Sequence, residues 1–526
     1  MGRAGLQALS SPTIAHLVGR RLPLVQVFIT GAVLLAIGAS QLIYSAGLGT
    51  TLLSDDWYQI LWLADLQRSG AWTTIFEVGA AGWFRPVQWL TTFAIYAAFG
   101  TNPVPYHALS QGIDLLNAVL LGTLVYQFLS GLASWTHPSA SRAALLAVAL
   151  FALNWRHNEA VFWSAAINEP LSTCFRLASL NVVLRWSITH RRYAGTLAVA
   201  SVATALALAS KESGFLVPVE TAALLGLCLF EGALPRARLK QAALIVAAQL
   251  VWVIGWALLY LRAIMLTPGR THDLEFFQGS AVEWAMRYMQ YVAATYGGTG
   301  GPLRSEWVLA GEAVIALGLT ALAVRDRRRL WLFALAWCLV AVTPYVMQVP
   351  YGLGEQGVDP LDLGILADRY LYYGSAAATL LLILSAAWLR DGARKLLGDR
   401  VGADMWTAGL GLCAAAILVV SSMQLARLGS EWRMAGRMAA IILEQVREPA
   451  SRLRAGDTLC LQDLPDDYDR RYVFHKGAAE AVWLTLGRRD FAILATTSRL
   501  GPDALQACST LLDFNAATWR LEPVVQ

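Results

Sequence analysis

The sequence predicts an all-α polytopic membrane protein of about eleven to twelve transmembrane helices, with helices in its external loops and a small C-terminal α/β domain. Of its 526 residues, 56% are hydrophobic and only 15% are charged, and the mean hydropathy is +0.49. Soluble domains carry about 25% charged residues, so the composition excludes a soluble class. The 20 Trp residues suit the aromatic belts that form at membrane–water interfaces.

The first membrane helix is predicted from about Leu22 to Ala46, directly after Arg20 and Arg21. This run is long enough to span a bilayer, and the stretch before it lacks the short apolar core and cleavage site of a secretory signal peptide. We therefore expect it to remain as a signal anchor. The apolar segments that follow lie at about 86–99, 106–130, 142–154, 159–184, 193–209, 214–230, 241–263, 308–324, 330–349, 368–389 and 404–425.

Short basic clusters between these segments indicate the cytoplasmic side of the membrane. They account for the net charge of +5 without a nucleic-acid partner. Counting forward from Arg20, however, gives one crossing too many before Arg191. We therefore expect either 86–99 or 142–154 to be re-entrant or incomplete, which leaves eleven full crossings and an external tail. The clusters are Arg191-Arg192, Arg236/Arg238/Lys240, Arg325 to Arg329 and Arg390/Arg394/Lys395.

Two domains are predicted, a transmembrane domain at 1–425 and a small extracytoplasmic domain at 426–526. The transmembrane domain carries a first external loop at 47–85 and a longer one at 264–307. Loops longer than about 12–15 residues are usually functional or disordered. In the longer loop we expect a surface helix, followed by a flexible turn at Gly297–Pro302.

The C-terminal domain contains two of the six cysteines, Cys460 and Cys508. They can form a disulfide if the domain faces an oxidising compartment, which the sequence alone leaves open. The other cysteines lie in apolar runs, and no Cys/His cluster predicts a zinc site. The predicted elements of this domain are strands at Thr458–Leu461, Arg471–Phe474 and Phe491–Ala495 and a helix at Ala478–Leu486.

Two adjacent carboxylates, Asp55 and Asp56, follow the first membrane helix. Charged side chains next to membrane segments are costly, so their default interpretation is a functional site. The two groups repel each other, and together they can hold a proton. They can also bind a divalent cation such as Mg²⁺ or Mn²⁺, although the pair does not require one. The alternative is structural: Ser54 or Asp55 caps a surface helix that begins near Trp57.

Two arginines stand at the mouths of membrane segments. Arg85 precedes the 86–99 segment, and Arg369 opens the 368–389 segment next to Asp368, its candidate partner. A guanidinium in such a place can bind a phosphate through two parallel hydrogen bonds. For Arg85 the alternative is an ordinary interfacial arginine whose charged head reaches water.

Further polar residues interrupt the apolar segments. Glu169 lies inside a predicted membrane segment, so we expect it to pair with a basic side chain. Lys211 and Glu212 occupy a very short external turn, where simple solvation is the alternative to a role in a site. Asp114 and Asn117 are one helical turn apart and are expected to face protein rather than lipid.

Motifs of soluble-nucleotide enzymes are missing. The sequence has no Walker loop, no dinucleotide fingerprint at a strand–helix junction, no HExxH and no GxSxG. Basic residues at external membrane mouths instead suit an anionic lipid whose phosphate lies at the interface.

The order of these features resembles the GT-C superfamily of integral membrane glycosyltransferases, and in particular the protein O-mannosyltransferase branch and its bacterial relatives. The resemblance covers roughly residues 20–390, and the order of the motifs is more specific than any one of them. The matching landmarks are Asp55-Asp56, Phe84-Arg85-Pro86-Val87, Asn102 to His107 before a helix with Asn117, Trp155 to Val161, Ser210-Lys211-Glu212-Ser213 and Asp368-Arg369-Tyr370-Leu371-Tyr372.

The resemblance implies transfer of a sugar from a polyprenyl-phosphate-linked donor to an acceptor hydroxyl, with inversion at the anomeric carbon. It also implies a site on the periplasmic face of a bacterial inner membrane. The general base falls on Asp55 or Asp56, with a slight preference for Asp56, and no nucleic acid takes part. The donor phosphate contacts would be Arg369, then Arg85 and Lys211, and also His157. The supporting polar residues would be Glu159, Glu169, Glu212, Asp368 and Tyr370.

The chain departs from the O-mannosyltransferase pattern in three respects. An Asp-Asp pair replaces the Asp-Glu of that branch, the 264–307 loop lacks an inserted sugar-binding-type domain, and no helical repeat array follows the membrane region. The acceptor can therefore be a lipid-linked glycan, such as an O-antigen or a lipopolysaccharide core, as readily as a protein. The alternatives are a flippase for lipid-linked glycans, which predicts inverted repeats that we do not see, and a polysaccharide polymerase or ligase.

Overall fold

A computed structural model describes residues 30–77, 83–266, 280–295, 328–347, 368–397 and 401–524. Predictions made for 1–29, Gly82, 297–302, 308–324 and 350–367 lie outside these residues. Within the described part of the chain, the fold is a helical bundle with a small C-terminal sheet domain, and the predicted fold class is confirmed.

Seven helices among the described residues are long and apolar enough to cross a membrane. Side chains on the bundle surface agree with a lipid environment, since Leu412 is 72% exposed and Met265 is 77% exposed. The helices are α1 Thr30–Ser45, α2 Asp55–Ser69, α3 Pro86–Phe99, α4 Pro103–Gly131, α5 His137–Ala152, α6 Asn158–Phe162, α7 Asn168–Thr189, α8 Tyr193–Ser210, α9 Val217–Phe230, α10 Leu239–Leu266, α11 Ala281–Thr295, α12 Arg328–Met347, α13 Tyr372–Leu397, α14 Val401–Ser451, α15 Ala478–Leu486 and α16 Pro502–Gln506.

Basic residues gather at one end of the bundle, which we call the basic end. Arg238 Nη1, before α10, donates to the carbonyl of His190 after α7 at 3.0 Å. Arg329 Nη1, at the start of α12, donates to the carbonyl of Phe230 at the end of α9 at 3.2 Å. Clusters that the sequence places on one side of the membrane thus lie together in the structure.

The opposite end, which we call the site end, carries Asp55 and Asp56. The start of α4 lies here, because His107 Nε2 is 2.9 Å from the carbonyl oxygen of Thr50, a few residues before the acidic pair. α14 rises to the same end as one continuous helix and leads into the C-terminal domain, so the predicted boundary between 425 and 426 lies inside a helix.

Helix α3 resolves the problem of the extra crossing. At its start Gln88 Nε2 donates to the Ala165 carbonyl at 3.1 Å, and just past its end the Gly100 carbonyl accepts from the Tyr106 hydroxyl at 2.9 Å, at the start of α4. Both ends of α3 therefore lie at the site end. Its 14 residues rise about 21 Å, which is short of a bilayer core of about 30 Å. The expectation of one incomplete segment is confirmed, and the segment is 86–99.

The apolar segment at 159–184, predicted as one crossing, is broken in the structure. A 3₁₀ turn at Trp155–His157, the short helix α6 and a second 3₁₀ turn at Ser164–Ile167 precede α7. Hydropathy missed this break because the irregular residues are themselves mostly apolar and buried. Irregular backbone at such depth is tolerated where protein rather than lipid surrounds it. We call residues 153–167 the hub segment.

The C-terminal domain is built on a four-stranded sheet of order β4-β1-β5-β6. β1 pairs in parallel with β4 and β5, and β6 is antiparallel to β5. Cys460 on β1 forms a disulfide with Cys508, and the predicted strands and helix of this domain are found. The strands are β1 Thr458–Gln462, β2 Asp467–Tyr468, β3 Arg471–Tyr472, β4 Ala492–Ala495, β5 Thr510–Asn515 and β6 Arg520–Pro523.

This domain is docked on α2, the helix that begins with the acidic pair. Ser54, just before α2, donates its backbone N–H to the Val473 carbonyl at 3.0 Å, and its hydroxyl accepts from Lys476 N–H at 3.2 Å. At the other end of α2, Arg489 pairs with Asp65 at 2.6 Å. Ser54 has φ +47°, a strained value for a residue with a side chain, so the docked domain helps to hold it. α2 is therefore packed between α3 and α15 rather than lying bare on the membrane surface.

Replacing Gly477 with Ala tests this docking. A Cβ there would lie 2.5 Å from the Ser54 carbonyl oxygen, and the φ of +80° also disfavours it. Gly487→Ala is the matched control, because its φ is +64° but nothing lies within 4 Å. We expect both variants to lose about 1 kcal/mol from backbone strain, and Gly477→Ala to lose about 1–3 kcal/mol more. Thermal unfolding and limited proteolysis in detergent measure this, and equal losses would contradict the docking role.

Candidate active site

Asp56 is a buried carboxylate with one free oxygen. Its side chain is enclosed where α2 meets the hub segment, with Oδ2 accepting from Leu53 N–H at 2.9 Å. Oδ1 is buried and has no hydrogen-bond partner among the described residues. Burial raises the pKa of Asp56 to about 8, the neighbouring Asp55 adds to the rise, and backbone hydrogen bonds from Leu53 and Ala165 oppose it. Asp56 can thus exchange a proton near neutral pH.

Asp55 also has a buried Oδ1 without a hydrogen-bond partner in the described part of the chain. The structural alternative is found in part, since Ser54 occupies the N-cap position and Asp55 and Asp56 lie in the first turn of α2, although the Ser54 side chain makes no cap hydrogen bond. Nowhere in the described residues do three or more His, Cys, Asp or Glu side chains converge as metal ligands. Two carboxylates, one already accepting from the backbone, fall short of a protein cation site, and we assign no metal to them.

The hub segment joins the acidic pair to the rest of the site. Trp163 Nε1 donates to the Leu53 carbonyl at 3.3 Å, and the same indole ring lies 5.0 Å from the guanidinium carbon of Arg369. Ala165, two residues on, contacts Asp56 and accepts from Gln88. The irregular backbone of the hub thus brings α2, α3 and the start of α13 to one place.

Arg369 pairs with Glu159 of α6 rather than with Asp368. Both the Arg369 side chain and its backbone N–H bind the Glu159 carboxylate, the latter at 3.1 Å. The prediction that Asp368 is its partner is wrong. Neighbouring residues on a helical turn point in different directions, so Asp368 reaches Arg156 instead, at 2.6 Å, and accepts from Asn158 at 2.7 Å.

Lys211 pairs with Glu169 in a buried ion pair, and the expectation of a basic partner for Glu169 is confirmed. Tyr345 donates its hydroxyl to Glu169 at 3.1 Å. The rings of Tyr345 and Tyr370 stack at 4.8 Å, and the Lys211 ammonium lies 5.0 Å from each ring centroid. Simple solvation of this turn, the alternative for Lys211, is wrong, because its side chain is only 8% exposed.

Arg85 forms a two-pronged pair with Glu212. Arg85 Nε and Nη2 donate to the two carboxylate oxygens at 2.9 and 2.8 Å. The side chains are 14% and 17% exposed, so both the interfacial alternative for Arg85 and the solvated alternative for Glu212 are wrong. This pair fixes the start of α3 to the turn between α8 and α9.

The four pairs form an electrically balanced layer, which we call the ion-pair layer. Four cations face four carboxylates, and each group would be costly to bury alone. Asp55 and Asp56 lie beside this layer without a cation of their own among the described residues, so they are the unbalanced charge of the site. The pairs are Arg85–Glu212, Lys211–Glu169, Arg369–Glu159 and Arg156–Asp368.

His157 belongs to a separate buried network. Its Nδ1 lies 3.1 Å from Asp114 Oδ1 and its Nε2 lies 2.8 Å from the Ser375 hydroxyl. Tyr372 donates to the same Asp114 oxygen at 2.7 Å and accepts from Asn117 at 3.1 Å. Asp114 and Asn117 are fully buried, so the prediction that they face protein is confirmed. This network anchors the hub segment to α4 and α13.

Tyr472 of the C-terminal domain is a site residue that sequence reasoning missed. Its ring lies 4.8 Å from the Trp163 ring, which itself lies 5.0 Å from the guanidinium carbon of Arg369. In the sequence it belongs to a short strand-like run, and no local pattern points to the membrane site. Only the docking of the domain places it there.

Comparison with solved structures finds the same architecture elsewhere. The crystal structure of ArnT from Cupriavidus metallidurans in the apo state matches with a TM-score of 0.51 and 14% identity, over 93% of this chain and 94% of that one. The same ArnT bound to undecaprenyl phosphate gives 0.50 and 14%, over 88% and 86%. The chain shares the fold of ArnT.

At this level of identity the shared fold is established and the activity is not. AglB, the archaeal oligosaccharyltransferase from Archaeoglobus fulgidus, solved with an inhibitory peptide and a dolichol-phosphate, is less similar, with a TM-score of 0.44 and 11% identity over 90% of this chain and 65% of that one. That score is too low to compare sites. No protein-family model and no curated protein matches the sequence. The O-mannosyltransferase branch stays a prediction.

Neutralising Glu169 tests the ion-pair layer. Glu169→Gln leaves the Lys211 ammonium buried without its counter-charge, and we expect a loss of about 3–5 kcal/mol in the free energy of unfolding. Glu444→Gln is the control, because Glu444 pairs with Arg447 and is 74% exposed, which predicts a loss below about 1 kcal/mol. The double variant Glu169→Gln/Lys211→Met should recover most of the loss. Thermal unfolding in detergent measures it, and similar small losses for both single variants would contradict the prediction.

Proposed function

We propose that the protein is an inverting glycosyltransferase that moves a sugar from a polyprenyl-phosphate-linked donor to an acceptor hydroxyl. The observation that carries this proposal is the acidic pair at the site end, where buried carboxylate oxygens of Asp55 and Asp56 stand free beside the ion-pair layer. The fold shared with ArnT, which has been solved with undecaprenyl phosphate, supports a lipid phosphate as the ligand.

Asp56 is the proposed general base. In an inverting transfer the acceptor oxygen attacks the anomeric carbon while its proton passes to a carboxylate. The new bond forms between the acceptor oxygen and the anomeric carbon, and the bond from that carbon to the phosphate oxygen breaks. The free Oδ1 of Asp56 can take the proton, and the raised pKa suits a base that works near neutral pH. Asp55 lies beside it and opposes loss of that proton to water.

Arg369, Arg85 and Lys211 are the proposed contacts of the departing lipid phosphate, which gains one negative charge in the step. A guanidinium has five N–H donors, so Arg369 and Arg85 can hold a phosphate while keeping their carboxylate partners. Arg369 is the most exposed of the three, at 19% of its side chain. Fixed cations aimed at a developing charge stabilise the transition state. We leave His157 out, since both its ring nitrogens already have partners.

The site end is proposed to face the periplasm of a bacterial inner membrane. The basic end would then face the cytoplasm, as the positive-inside rule requires. The disulfide between Cys460 and Cys508 supports this orientation, because disulfides persist in oxidising compartments. Under the same proposal, residues 426–526 form an extracytoplasmic domain beside the active site.

Asp56→Asn should lower kcat/KM for sugar transfer by about 10²–10⁴-fold, since it removes the base. In the wild type, kcat/KM should rise about tenfold per pH unit and level off above about pH 8, because only ionised Asp56 accepts the proton. The variant should lose that pH dependence. Release of lipid phosphate from a panel of polyprenyl-phosphate monosaccharides measures both.

Asp503→Asn, at an exposed position on α16, is the control for this experiment. Asp55→Asn shows whether the neighbouring carboxylate is the base instead. Unchanged transfer in Asp56→Asn would remove Asp56 from its role. Consumption of oligosaccharide donors alone would favour the polymerase or ligase alternative.

Arg369→Lys should raise KM for the lipid-linked donor by about 10–100-fold, because an ammonium cannot bind a phosphate and Glu159 in the same two-pronged manner. Arg452→Lys is the control, since Arg452 is 77% exposed. Steady-state kinetics with varied donor measure the effect. An unchanged donor KM in Arg369→Lys would show that the phosphate lies elsewhere.

A further inference from the structure

The C-terminal domain contains a cavity beside the carboxyl ends of β1 and β4. The chain passes from β1 through α15 to β4 on one side, and then through α16 back to β5 on the other side of β1. Parallel crossovers are right-handed in nearly all proteins, so α15 and α16 are expected on opposite faces of the sheet.

The cavity is lined by residues that follow β1 and by the end of β4, and it holds about 440 Å³. Ligand sites typically span about 300–1,000 Å³. Its wall is apolar, with Leu464, Phe474 and Ile493 nearly buried behind the opening. An aromatic and aliphatic wall of this kind suits the C–H face of a sugar ring.

The rim of the cavity is polar and chemically mixed. Three polar side chains line it. Lys476 offers an ammonium donor, Glu480 a carboxylate acceptor, and Thr497 a hydroxyl that both donates and accepts. His475 also lines it and is held by Asp466, 2.8 Å from its Nδ1. A rim with charges of both signs and a hydroxyl suits the many hydroxyl groups of a glycan better than it suits a simple anionic ligand.

The same rim touches the first external loop just before the acidic pair. Gly477 lies so close to Ser54 that a Cβ on it would be 2.5 Å from the Ser54 carbonyl oxygen, and Lys476 N–H donates to the Ser54 hydroxyl at 3.2 Å. Asp55 and Asp56 are the next two residues after Ser54. A ligand seated in the cavity therefore lies directly beside the start of α2.

We propose that this cavity binds the glycan of the acceptor and presents one of its hydroxyls to the acidic pair. The inference rests on the proposed function, since it names the acceptor of that transfer. It assigns the acceptor to the C-terminal domain and the lipid-linked donor to the ion-pair layer, so the two substrates approach Asp55 and Asp56 from opposite sides. Phe474 provides the stacking wall, and Glu480, Lys476 and Thr497 bind ring hydroxyls.

The test fills the cavity from its exposed edge. Thr497→Trp places a large side chain in the opening at a position exposed to solvent, which limits the risk to folding. Thr518→Trp is the matched control, since Thr518 is exposed in the turn between β5 and β6. Purified full-length protein is probed by saturation-transfer NMR with lipid-free core oligosaccharide and O-antigen repeat units, and with a serine-rich peptide.

The proposal expects saturation of at least one glycan in the wild type and in Thr518→Trp, and its loss in Thr497→Trp. Where transfer is measurable, acceptor KM should rise at least tenfold in Thr497→Trp, as expected for about 1.4 kcal/mol of lost binding. Glu480→Gln should weaken glycan binding in the same direction.

No glycan signal in the wild type, an equal signal in Thr497→Trp, or saturation of the peptide alone would each overturn the proposal. This readout needs no turnover. A protein that binds glycan in the cavity but releases no lipid phosphate from any donor would refute the proposed function and leave the cavity assignment standing.

Discussion

The cost of burying charge governs this structure. At the site end, four cations lie in surroundings where each would be expensive alone, and each has a carboxylate within contact distance. The partners come from segments far apart in the chain, so the pairs act as cross-links between the hub segment, the start of α3, the turn before α9 and the start of α13. These contacts hold the hub segment in an irregular path, where the apolar sequence predicts a regular membrane-spanning helix.

Against this balanced layer, the acidic pair stands out because it has no cation among the described residues. Its position depends on contacts from both domains: Leu53 and Ala165 hold Asp56 from the membrane side, and Val473 and Lys476 hold Ser54 from the C-terminal domain. Carboxylates kept free in this way retain their basicity, whereas the paired ones are occupied. The carboxylates that have a cation partner therefore stabilise the structure, whereas Asp55 and Asp56, unpaired among the described residues, remain for the proposed chemistry.

The C-terminal domain contributes to the membrane site as well as covering it. The Tyr472 ring lies 4.8 Å from the Trp163 ring, and the nearby residues Lys476 and Gly477 form the cavity rim beside Ser54. One rigid contact therefore sets the geometry of the proposed donor side and acceptor side together. This explains why Gly477, with its positive φ and no room for a Cβ, is placed at the centre of the contact.

Hydropathy and local charge depend on nearby residues only, so the sequence alone determined the membrane class, the acidic pair and the basic residues at membrane mouths. It also determined that Glu169 needs a partner and that the tail contains strands. The identity of ion-pair partners was decided by tertiary structure: Asp368 neighbours Arg369 in the chain yet pairs with Arg156, across 212 positions. Tertiary structure also decided that 86–99 does not cross the membrane and that 159–184 is broken. Apolar composition indicates burial, but it does not tell whether protein or lipid surrounds a segment. Tyr472 reaches the membrane site only because the C-terminal domain is docked there, and the cavity forms only where β1 and β4 pair.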